Sequence, residues 1–160
     1  MSAKSVIALA LLTLVLGCAD RPAATEVSAA AAGGRAGGAA AEHPDLVAAR
    51  AATARFHNFA AAEPAGYDFL FLNMCMEDPA AGGMGYHWVD TTRVDTELDP
   101  TRPEALLYEP QANGQLRLVG VEYVVPRDLW TSPEKPRLFG RELQPNGFGL
   151  FALHVWLWRD

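Results

Sequence analysis

Two histidines and a glutamate stand in the middle of otherwise apolar runs. His87 interrupts "GMGYHWV", Glu122 interrupts "LRLVGVEYVV" and His154 interrupts "FALHVWLW". An unpaired polar group is costly to bury, so residues placed this way pair, bind a metal or line a cavity. Two imidazoles and one carboxylate suffice to hold a divalent metal such as zinc, iron or copper. The same three groups suffice for acid–base work on a bound ligand. The competing reading makes each a separately satisfied core residue, with Glu122 paired to an arginine such as Arg55. No H-x-H or H-x-x-x-H spacing forces the three together. Glu109, near a turn, is a fourth candidate.

Other residues with chemical potential cluster nearby. Tyr86 and Trp88 flank His87, and Trp156 and Trp158 follow His154. These four aromatics, with His154, are expected to line a small-ligand pocket. Met74, Cys75, Met76 and Met84 are soft sulfur donors of the kind that suit Cu(I), or else the methionines fill core space. Gly82, Gly83 and Gly85 lack the lysine and helix start of a phosphate loop. They read as a turn and a tight strand entry.

The elements that must position these residues follow from period and punctuation. "PDLVAARAATARFHNFAAAEPAGY" predicts a helix from about Asp45 to Ala62. Pro44 suits its first turn, Asp45 its positive end, and Pro64 and Gly66 its stop. "YDFLFLNMCM" and "GYHWV" predict strands, and "DTTRVDTELDPTRPE" a loop. Leu106–Glu109 and Gln115–Val125 predict a hairpin turned at Asn113-Gly114, two residues that tolerate positive φ. Pro126 closes it, a Pro- and Gly-rich loop follows, and "LFALHVWLW" predicts the last strand. Alternation puts Arg117, Val119, Val121, Tyr123 and Val125 on one face, and Leu116, Leu118, Gly120, Glu122 and Val124 on the other. In the last strand Phe151, Leu153, Val155 and Leu157 oppose Ala152, His154, Trp156 and Trp158. The predicted fold class is α+β: one N-terminal helix packed on an antiparallel sheet of about five strands, able to curl toward a barrel.

The chain has 160 residues, and three regions divide it. Residues 1–17 carry Lys4 and then an apolar run of eleven residues, Val6–Leu16, broken only by Thr13. About 20 residues are needed to span a bilayer, so this is a signal peptide. Residues 18–42 are almost all Ala and Gly and form a tether that cannot bury enough surface to fold. Residues 43–160 form one globular domain. That domain holds 10 Lys/Arg against 16 Asp/Glu, an acidic balance that argues against nucleic acid or anionic lipid as its partner. Cys75 is its only cysteine, so no disulfide is expected inside it.

Two resemblances add to this reading. "VLGC", Val15 to Cys18, resembles the lipobox of bacterial lipoproteins. That resemblance implies lipidation of Cys18, a membrane partner reached through the lipid, and a place in the cell envelope, at the periplasmic side. Ala19 after the cysteine favours the outer membrane if the cell is Gram-negative. The segments "ATARFHNFAAAEPAGY", "GGMGYHWV", "PEALLYEP", "GQLRLVGVEYVVP" and "LHVWLW" resemble a family of uncharacterised bacterial exported proteins. This implies export and a shared fold, but no reaction, and relatives that continue past the last strand. The functional expectation is a membrane-anchored module that binds a small ligand or a metal. The alternatives are a metal-dependent envelope enzyme using the His/Glu/His set, and a purely structural envelope protein.

Overall fold

A computed structural model describes residues 43–78 and 82–159. The signal peptide, Cys18 and the tether lie outside the described residues. The first element, α1 (Pro44–Thr53), starts where expected: Pro44 fills the first turn, and His43 Nδ1 accepts from the Asp45 N–H at 3.3 Å. Its apolar stripe buries Leu46 and Ala49. The α-helix stops at Thr53, nine residues short of the predicted Ala62, and continues as 3-10 turns at Ala54–His57, Phe59–Ala61 and Glu63–Ala65. Two contacts explain the change. The Phe56 carbonyl is taken by the Tyr108 hydroxyl at 2.8 Å, and Asn58 is extended (φ −82°, ψ 98°). A long-range hydrogen bond from the sheet therefore displaces the helical register. Gly66 ends the segment at φ 101°, and a Cβ there would sit 2.6 Å from the Asp90 carboxylate.

Among the described residues nine strands follow: β1 (Phe69–Leu70), β2 (Met76–Asp78), β3 (Gly82–Val89), β4 (Ala105–Pro110), β5 (Leu116–Pro126), β6 (Arg137–Leu138), β7 (Arg141–Glu142), β8 (Gln144–Pro145) and β9 (Leu150–Val155). Seven form one antiparallel sheet in the order β1-β3-β4-β5-β9-β8, with β2 pairing β3 beside β1. β6 and β7 form a separate hairpin. The α+β class holds. The barrel-like closure does not: among the described residues no pairing joins the β1/β2 edge to β8, and a two-residue edge strand offers too short a ladder to close on.

"YDFLFLNMCM" is not one strand. Leu72 and Asn73 take positive φ (55° and 45°), which turns the chain and splits it into β1 and β2. The predicted hairpin forms as β4–β5 around Asn113-Gly114, with Gly114 at φ 79°. The last strand is internal, held between β5 and β8. Cys75 is disulfide-bonded, which corrects the expectation of a cysteine without a partner.

The main core lies between the helical segment and one sheet face. Leu46, Ala49, Phe56, Leu106, Tyr108, Val121, Tyr123 and Val155 pack together there. Buried tyrosines fix its rim: Tyr67 donates to Pro103 O at 2.9 Å and Tyr123 to Pro100 O at 2.6 Å. Strict alternation fails at Val119. Leu107 pairs with Gly120 but Tyr108 pairs with Leu118, so Val119 is the extra residue of a β-bulge. Leu118 therefore joins the main core, while Val119 joins Leu107 and Trp156 on the opposite face. A second bulge sits beside it. Met76 pairs with Gly85 and Glu77 with Gly83, leaving Met84 as the extra residue, and Gly85 takes φ 88°. Only glycine fits there, because a Cβ would lie 2.6 Å from the Tyr108 carbonyl oxygen.

A candidate metal centre on the second sheet face

Register alone carries two of the three ionisable residues to one place. Glu122 on β5 faces His154 on β9 directly. His87 on β3 aligns with Leu107 on β4 and Gly120 on β5, and Val89, Ala105 and Glu122 form the adjacent row. Cross-strand partners share a face, so all three side chains project from the side away from α1. His87 stands two strands from Glu122. The gap is bridged because Gly120 and Ala105 carry too little side chain to fill the space between.

The three side chains converge. His87 Nε2 lies 3.2 Å from His154 Nε2 and 3.6 Å from Glu122 Oε2, and His154 Nε2 lies 3.4 Å from Glu122 Oε1. Three ligand atoms, one from each residue, fall within 4.8 Å of one another. A tetrahedral zinc with bonds of about 2.0–2.1 Å sets its donor atoms about 3.3 Å apart. The 3.2 Å between the two Nε2 atoms matches that figure, and each histidine faces a different oxygen of the Glu122 carboxylate, at 3.6 and 3.4 Å.

Burial and hydrogen bonding set the protonation of the group. His87 is 4 % exposed and Glu122 8 %. His87 Nδ1 lies 3.2 Å from the Gly85 carbonyl, which can only accept. Nδ1 therefore carries the hydrogen and Nε2 keeps its lone pair for the site, the arrangement that orients metal-bound histidines. Burial drives the His87 pKa down, partly opposed by Glu122. Burial drives the Glu122 pKa up, opposed by His87. Both groups are thus pushed toward neutrality. Two Nε2 atoms at 3.2 Å need either a shared proton or a shared cation between them. His154 is held in plane by Trp156, whose ring lies parallel to it at 6.0 Å and 12°.

The trio opens into a cleft of about 830 Å³, a size that takes a small molecule. Residues of the 137–148 segment form one wall, and Phe71, Met76 and Met84 form another. Phe71 and Phe148 meet edge-to-face at 5.0 Å. Sequence reasoning missed this wall because β6, β7 and β8 are two-residue strands inside a segment that reads as loop.

The four aromatics expected to line the pocket stand elsewhere. Tyr86 and Trp88 project from the helix side of β3, where Trp88 packs on Phe59 at 4.9 Å. Trp158 also leaves the predicted face: β9 ends at Val155, and the Trp158 N–H bonds the carbonyl of bulged Val119 at 3.1 Å. Its ring meets His57 at 4.4 Å. Trp156 stays on the His154 face but backs the site rather than lining the cleft. Glu109 is spent on Arg117 at 2.6 Å and lies outside the trio, and Arg55 lies over the Phe56 ring rather than against Glu122. No family model, curated protein or solved structure matches the chain.

Proposed function

We propose that the protein is a lipid-anchored metal-binding module of the cell envelope, with one divalent ion held by His87, Glu122 and His154 at the floor of a cleft. The observation that carries this reading is the convergence of the three side chains: the two Nε2 atoms lie 3.2 Å apart, and each has an oxygen of the Glu122 carboxylate within 3.6 Å. Three protein ligands facing a cleft leave a coordination position for a small ligand, as catalytic rather than structural metal sites do. That open position also supports a second reading, a metal-dependent enzyme in which the ion polarises a bound substrate. A structural role alone leaves the convergence of three ionisable groups without a purpose.

Elemental analysis of the full chain, purified in detergent and equilibrated with zinc, is expected to give one equivalent per chain. The His87→Ala/His154→Ala variant is expected to give none. Equal metal in both proteins would sink the reading.

Lipid anchoring rests on Cys18 and has its own test. Cys18→Ala is expected to abolish the lipid adduct and leave the membrane fraction. Retention of a lipidated mature form in that variant would remove the anchor from the proposal.

A further inference from the structure

The methionines separate into two kinds. Met74 is 54 % exposed and stands apart from the cleft. Met76 and Met84 both line the cleft that holds His87, Glu122 and His154. Neither placement is incidental to the backbone. Met84 is the extra residue of the β3 bulge, and that insertion puts it with Leu107, Val119 and Trp156 on the histidine face. The bulge requires Gly85 at φ 88° against the Tyr108 carbonyl. Met76 pairs with this same Gly85, whose carbonyl oxygen lies 3.2 Å from His87 Nδ1. One irregular turn of backbone thus fixes the histidine tautomer and places two methionines in the lining of the cleft beside it.

The cleft lining then offers two imidazole nitrogens and one carboxylate that converge, with two thioethers elsewhere in the same lining. Zinc sites draw on thiolate, imidazole and carboxylate. Thioether with imidazole is a soft set that selects Cu(I) over the harder divalent ions. Resting on the metal reading of the trio, we propose that the ion this cleft is built for is copper, bound as Cu(I) by His87 and His154 with a thioether from Met76 or Met84, and with Glu122 as the further ligand of the cupric state.

The test uses the full chain in detergent, kept anaerobic and loaded with Cu(I). X-ray absorption at the copper edge is expected to show a sulfur shell together with imidazole nitrogens. That shell is expected to disappear in a Met76→Leu/Met84→Leu variant, or to weaken in one of the two single variants if the double variant does not fold. Competition against a chromophoric cuprous chelator is expected to show Cu(I) affinity falling about tenfold or more in the double variant. Zinc affinity, measured on the same preparations, is expected to stay within about twofold, which also reports that the variant is folded. A wild-type copper shell of nitrogen and oxygen only overturns the proposal, as does a sulfur shell that survives loss of both methionines, because the sulfur then comes from another residue. Zinc binding by the histidines with no preference for copper overturns the copper assignment alone. Failure to bind any metal removes both it and the metal reading beneath it.

Discussion

Zinc at one hundred times its dissociation constant is expected to raise the melting temperature of the wild-type chain by about 10 °C, and that of His87→Ala/His154→Ala not at all. The size follows from linkage. An ion that binds only the folded state at that excess stabilises it by about 2.7 kcal/mol. For a domain of this size each kcal/mol moves the midpoint by about 3–5 °C. The unfolded chain cannot gather donors from β3, β5 and β9, so it competes weakly for the ion. The double variant keeps Glu122, but one buried carboxylate pushed toward its neutral form is a poor ligand. His57→Ala is the control: His57 packs on Trp158 and contributes nothing to the trio, so the metal-induced shift is expected to persist whatever happens to the metal-free midpoint. A shift retained in the double variant would place the metal elsewhere.

The trio was legible in the sequence as a hypothesis because each member breaks an apolar run, and a buried polar group needs a reason. Its convergence was not legible. That depends on pairing Glu122 with His154 and on the small residues Ala105 and Gly120 standing between β3 and β5. Register belongs to two strands together, whereas alternation is read one strand at a time. The same limit explains Val119 and Met84. A bulge inserts one residue against a partner strand and reverses the face of every residue beyond it. The glycines beside each bulge were visible, but their meaning lay in the Tyr108 and Val155 carbonyls that approach them. The Asn113-Gly114 hairpin was legible because its turn chemistry is local. The helix was half legible: its start is set by Pro44 and Asp45, whereas its end is set by the Tyr108 hydroxyl, 52 residues away.

That dependence on distant partners also governs how the fold responds to pH, where Glu104 is expected to dominate. Its side chain is 2 % exposed, one oxygen accepts the Val124 N–H at 3.0 Å, and burial raises its pKa from 4.5 to about 8. Asp95 and Glu122 push in the same direction. An acid whose folded pKa lies above its unfolded value holds its proton more tightly in the folded state. Below about pH 4.5 both states are protonated and the penalty is absent. Between 4.5 and about 8 the unfolded state ionises first, so stability falls as pH rises; above about 8 both are ionised and the loss is complete. At 1.36 kcal/mol per unit the full loss is on the order of 5 kcal/mol as an upper bound. His87, whose pKa is lowered, acts with the opposite sign near neutrality. The informative quantity is therefore the difference between wild type and Glu104→Gln, measured metal-free by denaturant unfolding at pH 5 and pH 8. The amide keeps an oxygen for the Val124 N–H and removes the titration. The variant is expected to gain several kcal/mol on wild type between pH 5 and pH 8. A difference that is the same at both pH values would show that Glu104 does not titrate with a raised pKa.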